Sequence, residues 1–133
     1  YGTTVTRDDT DADTFKIALF TSSATLGAAT TVYSTTNEVA GGGSTGYIAG
    51  GNTLTISTTP TSTGTTAWLN FANSAWTSST ITARGALVYN SSQGDKAVAV
   101  LDFGADKSST SGTFTIVMPA SDSTNAIVKI TAP

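Results

Sequence analysis

The stretch Ile81-Thr82-Ala83-Arg84-Gly85-Ala86-Leu87-Val88-Tyr89-Asn90-Ser91-Ser92-Gln93-Gly94-Asp95-Lys96-Ala97-Val98-Ala99-Val100-Leu101-Asp102-Phe103 decides the fold class. Ile81, Ala83, Gly85, Leu87 and Tyr89 share one face of a period-two pattern, which predicts a long strand. Residues 97–103 are apolar on both faces and read as a central, well-covered strand. Gln93-Gly94-Asp95 supplies turn chemistry between them, so residues 83–90 and 96–103 are predicted to pair as a hairpin across a loop of about five residues. Gly85, inside the first strand, predicts a bulge, a bend or the crossing of the strand from one sheet to another, or a place where another chain comes close.

The same period extends outward in both directions. Phe15, Ile17 and Leu19 share a face in residues 14–20, and Leu54 and Ile56 do so in residues 53–57, so both segments read as half-buried strands. Ala67, Leu69 and Phe71 line up in residues 67–71; residues 113–118, stopped by Pro119, and 125–131 complete the clear set. Adding weaker runs at residues 3–7 and 30–34 gives eight or nine strands, and the fold class predicted is all-β, an antiparallel β-sandwich of jelly-roll or immunoglobulin-like type. Residues 1–13 read as a polar N-terminal arm that holds four of the nine acids, and residues 14–133 as a single β-sandwich domain.

Composition narrows the chemistry. The chain has 133 residues, 11% of them charged, with no His and no Cys, and Ser plus Thr make up roughly a third of it, far above average usage. Thiol nucleophiles, disulfides, thiolate zinc sites and histidine general bases are therefore ruled out. A net charge of −3 with six scattered Lys and Arg argues against a nucleic-acid partner. No apolar run approaches the ~18 residues of a membrane span, and no signal-peptide pattern is visible, so no membrane partner is expected.

Each candidate for chemistry meets a plainer competitor. Asp9-x-Asp11-x-Asp13 copies the opening of a calcium loop, but Thr14 and Phe20 stand where a glycine and a bidentate acid are required, so no metal is predicted. The glycine-rich residues 41–51 end in no Lys-Ser/Thr and open no helix, which excludes a nucleotide loop, and no cofactor is predicted. Lys16, Lys96, Lys107 and Lys129 are the only bases open to a serine nucleophile, and none has motif support. Asp95, Asp102, Asp106, Asp122 and Glu38 hold the right groups for glycoside hydrolysis, yet nothing in their spacing selects a pair, and the chain is read as a non-enzyme. Trp68, Trp76, Tyr33, Tyr47 and Tyr89 offer faces for stacking on sugar rings, against core packing as the alternative. Trp68 is out of phase with Leu69 and Phe71 and is placed at the surface or an interface, whereas Tyr89 is in phase with Leu87 and is placed in the core.

Five segments carry a family resemblance: residues 13–20 (DTFKIALF), 37–41 (NEVAG) with 46–55 (GYIAGGNTLT), 83–90 (ARGALVYN), 98–104 (VAVLDFG) and 112–116 (GTFTI). Together they resemble small structural proteins of tailed-bacteriophage virions, of the capsid-decoration and head-fibre kind, over nearly the whole chain from Asp13 on. In such proteins a strand of the FKIALY kind precedes a Glu-Val-x-Gly-x-Gly-Tyr-x-Ala-Gly-Gly loop and, later, an Ala-Arg-Gly-Ala strand. The departure is the longer 41–46 stretch, which inserts Ser44-Thr45 before Tyr47. The resemblance implies a place in the virion, with assembly in the host cytoplasm. The partners it implies are the major capsid protein or other virion proteins and further copies of the chain, a trimer among the options. The competing expectation is a carbohydrate-binding β-sandwich module, at a fibre tip or free-standing, with glycans as partners.

Intermolecular contact is expected at Asn37, Glu38, Val39, Tyr47, Ile48 and Trp68, because a long glycine-rich connection costs ordering entropy that a partner would offset. The 37–52 connection is read as mobile, both it and the arm at residues 1–13 are poor in core-forming residues, and the polar arm is expected to share the contact by reaching a neighbouring subunit electrostatically. Deleting residues 41–45 is then expected to leave folding nearly intact.

Overall fold

A computed structural model describes residues 13–120, 122, 124, 125 and 127–131, with residues 58–60 and 128–131 described for the backbone alone. Residues 1–12 of the arm expected at 1–13, including the expected strand at 3–7 and the acids Asp8, Asp9 and Asp11, lie outside the described residues.

Alternation of β-branched and aromatic residues gives an all-β chain, with no helix among the described residues. Seven strands run in chain order: β1 (Phe15–Phe20), β2 (Asn52–Thr53), β3 (Ile56–Thr63), β4 (Thr66–Phe71), β5 (Ser74–Asn90), β6 (Lys96–Ile116) and β7 (Val128–Thr131). They form two antiparallel sheets, one of order β2-β1-β5-β6 and one of order β3-β4-β7. The count of eight or nine is thus corrected to seven among the described residues. Residues 97–103 and 113–116 belong to one strand of 21 residues, and residues 30–34 contribute only a single bridge, Val32 to Lys96.

The hairpin predicted from residues 81–103 is present. Asn90 pairs with Lys96 across residues 91–95, and pairing continues to Ser74 with Ile116. Gly85 does mark a bulge, since β5 advances from Ala83 to Gly85 while β6 takes five steps between Lys107 and Asp102. A Cβ at Gly85 would stand 2.7 Å from the Leu101 carbonyl oxygen, so the strands can approach here only because the side chain is absent. The crossing between sheets lies elsewhere. Asn52 and Thr53 pair with β1, Leu54 donates to the Phe15 carbonyl, and Ile56 already pairs with Phe71 in the other sheet. The predicted strand at 53–57 is therefore split between two sheets, and Ile56 is exposed where Leu54 is buried.

Two expectations about burial exchange places. β1 was read as half-buried, yet Ile17, Ala18 and Leu19 are 0% exposed and Phe20 2%. Ile17 and Leu19 join the large cluster with Phe71, Trp76, Ile81 and Phe114, while Ala18 and Phe20 join a second cluster with Leu87 and Tyr89 on the opposite face. Residues 97–103, read as the central strand, lie instead in the edge strand β6. Their two-faced apolarity is real, because Ala99, Leu101 and Phe103 pack on the first cluster and Ala97 and Val100 on the second beside Leu26 and Tyr33. Apolar pattern reports what covers the faces of a strand and is silent about its lateral neighbours.

Candidate functional site

The lone glutamate organises the densest polar contacts. Asn37, Glu38 and Val39 lie against the end of β1: Thr21 N–H donates to the Asn37 carbonyl (3.0 Å), Val39 N–H to the Leu19 carbonyl (2.9 Å), and Phe20 bridges to Glu38. This short extension aims the Glu38 carboxylate inward. Tyr33 donates its hydroxyl to Glu38 Oε2 at 2.6 Å, and Tyr47 and the Gly50 N–H donate to Oε1 at 2.6 and 2.7 Å. The Tyr47 hydroxyl also accepts from the Leu19 N–H at 2.9 Å, and the Tyr89 hydroxyl donates to the Gly50 carbonyl at 2.7 Å. Tyr33 and Tyr89 stack with centroids 4.4 Å apart and planes 9° from parallel.

Three donors meet on one carboxylate through charge-assisted hydrogen bonds, with no ion-pair partner among the described residues. The tyrosines respond in turn. Burial pushes the Tyr47 and Tyr33 hydroxyls well above the ordinary phenol range, and the bond to Glu38 raises both further, since ionisation would set a second negative charge beside the first. Tyr89 is pushed up to about 12, chiefly by burial and then by the charges of Asp95 and Glu38. With both its oxygens occupied, Glu38 anchors three chain segments to β1 and β5, and the arrangement is that of a structural clasp.

The six residues expected at an intermolecular contact separate on this evidence. Asn37, Glu38, Val39 and Tyr47 come together at the clasp, but Val39 is 7% and Tyr47 1% exposed, so these two are corrected from contact residues to core residues. Tyr47 packs on Trp76, with centroids 5.9 Å apart. Ile48, its neighbour, is 79% exposed and faces outward as expected, and Asn37 is exposed. Trp68 lies on β4 in the other sheet, half-buried between Thr61 and Lys129 in register, with its indole nitrogen buried and without a partner among the described residues. Of the five aromatics considered for sugar stacking, Trp76 and Tyr47 are in the core, Tyr89 is buried as its phase predicted, and Tyr33 and Trp68 are half-buried.

The connection read as mobile is fastened along its length. Gly42 bridges to Tyr47, Thr80 N–H donates to the Thr45 carbonyl, and Asn52 donates to Ser74 and Ala75. Gly51 (φ +73°) lies so close to β1 that a Cβ there would fall on the Ile17 carbonyl oxygen. Of the acids considered for catalysis, Asp95 lies near Glu38, since the charges of both raise Tyr33 and Tyr89; Asp102 accepts from the Gly104 N–H, Asp106 pairs with Arg84 at 3.7 Å in the open, and Asp122 accepts from the Thr124 and Asn125 N–H groups. Among the described residues no three His, Cys, Asp or Glu stand together as a metal site.

A second feature escaped the sequence reading. The outer side of β6 is bridged at Lys96 by Val32, with Ala97 donating to the Thr31 carbonyl, and from Val98 on no described residue pairs with it. Beside it Phe103, Phe114, Ile116 and Val117 line a shallow concavity of about 610 Å³. The signal was present in the alternation of Phe114, Ile116 and Met118 with Thr113, Thr115 and Val117, but not in any mark of which strand lies outermost. No protein-family model, no curated protein and no solved structure matches the chain.

Proposed function

We propose that this chain is a non-enzymatic structural component of a tailed-phage virion, a decoration or cement protein on the outside of the protein shell, with the major capsid protein as its partner. The observation that supports this reading is that three of the five segments carrying the resemblance cooperate in one clasp. Phe20 from the first, Glu38 and Val39 from the second, Tyr47, Gly50 and Gly51 from its continuation and Tyr89 from the ARGALVYN strand all meet there. Residues so interdependent are ones a fold requires, which supports reading the resemblance as one of fold rather than of composition.

The finer architecture that suits this role is a small antiparallel sandwich, since Leu69 and Phe71 of one sheet enter the same cluster as Ile17, Ile81 and Phe114 of the other. Four strands and three is the immunoglobulin-like division, although the order β2-β1-β5-β6 is not the immunoglobulin order. Attachment of many copies to a symmetric lattice would multiply a modest affinity for each. The test is electron microscopy and mass spectrometry of purified particles of the phage that encodes the chain. Density for it on the outer shell is expected, and its absence from purified particles would overturn the reading.

A further inference from the structure

Among the described strands that lie at a sheet edge, β6 is the long one. β2 has two residues, β7 four, and β3 carries Pro60, which blunts an edge by removing a donor. β6 has no proline in 21 residues. Its proximal half is closed by other means: the strand bulges at residues 103–106, and the Arg84–Asp106 pair and Lys107 put charge beside the bulge. Residues 108–118 (SSTSGTFTIVM) contain no charge of either sign.

Two hydrogen bonds say which backbone groups of this segment are free. At the irregularity between Ser109 and Gly112, Ser111 (φ +47°) turns its N–H to Thr80 Oγ1 of β5 at 3.1 Å, so the outward ladder begins beyond it. The Met118 N–H donates to Asn73 Oδ1 at 2.8 Å, on the β5 side. By alternation the main chain of Phe114 and Ile116 also turns toward β5, and that of Thr113, Thr115 and Val117 turns outward. The side chains divide in the same rhythm, with Phe114, Ile116 and Met118 buried, Thr113 and Thr115 exposed and Val117 73% exposed.

We propose that this edge pairs with the same edge of a second copy, antiparallel about a two-fold axis at Phe114. That register sets Thr113 opposite Thr115 of the other copy, twice, with outward-turned main chain meeting outward-turned main chain and about four hydrogen bonds formed. It sets Gly112 opposite Ile116, small against large on the buried face, and the ladder stops there because the Ser111 N–H is held by Thr80. Since the segment is uncharged, two copies with a net charge of −3 each meet there without like charges in contact. A ladder of about five residues, ~17 Å long, buries less than the ~1,200–2,000 Å² of a stable interface, so the pairing is weak, with Kd on the order of 100 μM. The pairing does not depend on the virion reading: a chain absent from particles would still dimerise, and one present on them could be monomeric in solution.

Sedimentation of the full chain over a concentration series tests this. Dimer is expected to accumulate toward high micromolar concentration. The double variant T113K/T115K places lysine against lysine and should weaken association at least tenfold, while T113K/T115E places lysine against glutamate in this register alone and should return it to within about threefold. Amide exchange of the unaltered chain gives a second reading, with Thr113 and Thr115 slowing as concentration rises. A chain that stays monomeric, a lysine pair that associates as well as the original, or Thr113 and Thr115 amides indifferent to concentration would each overturn the proposal.

Discussion

Residues 37–51 and strand β6 make an instructive pair. The first is rich in glycine and has the composition of a mobile loop, yet it delivers Val39 and Tyr47 to the core and a carboxylate with three donors. The second begins with Ala-Val-Ala-Val-Leu, the most apolar run in the chain, yet it lies at the edge of its sheet. Glycine in the loop serves close approach rather than mobility, and apolarity in the strand records cover on its faces rather than a central position.

The sharpest way to break this contrast is Gly51→Ala. The new Cβ falls on the Ile17 carbonyl oxygen and the backbone is in the left-handed region, so a loss of more than about 4 kcal/mol is expected, read as failure to fold or a collapse of the urea midpoint. Deleting residues 41–45 comes next. Contrary to the expectation from composition, it should cost roughly 3 kcal/mol, because it removes the Gly42–Tyr47 bridge and the Thr45–Thr80 bond that seat a buried aromatic. A deletion that leaves the denaturation midpoint in place would restore the mobile-loop reading.

Tyr47→Phe keeps the ring and removes a hydroxyl that serves Glu38 and the Leu19 N–H, at a cost of about 2 kcal/mol by chemical denaturation. The same clasp sets the alkaline limit. The folded-state pKa values of Tyr33, Tyr47 and Tyr89 all lie above the unfolded value of about 10, so between them the native state holds more protons than the unfolded one. Stability is therefore intact below about pH 10 and falls as the pH climbs toward 12 and beyond. Phenolate absorbance should rise together with unfolding rather than ahead of it, and ionisation of these tyrosines in a still-folded chain would count against the clasp. The smallest effect belongs to the edge: Thr115→Lys should change stability by less than about 0.5 kcal/mol, since the side chain is exposed and its main chain faces away from β5.

The elements themselves were legible because period two survives wherever one face is buried, as at Ile81, Ala83 and Leu87, and the turn chemistry of Gln93-Gly94-Asp95 fixed the hairpin. What sequence left open is lateral order. Nothing in Ala97-Val98-Ala99 distinguishes a neighbouring strand from the 24–33 segment that covers it. Likewise Leu54 and Ile56 share a parity and therefore looked like one face, although the chain changes sheets between them. At the clasp, Glu38 was visible as the only glutamate, but its partners stand 5 residues before it and 9 and 12 after it, a spacing that no helix or strand period produces.

The length of the β5–β6 hairpin also sets an order of events. Its two strands are contiguous in sequence across residues 91–95, whereas β1 must find β5 across some seventy intervening positions. Closing the short loop takes microseconds, and the long one carries an entropic cost that is recovered only once a template exists. The hairpin is thus expected to form first and to serve as the template onto which β1 docks, with Tyr47 and its carboxylate locking afterwards. Substitutions in residues 85–90 should accordingly slow refolding, while those at the clasp should chiefly quicken unfolding, and the two limbs of a chevron plot separate them.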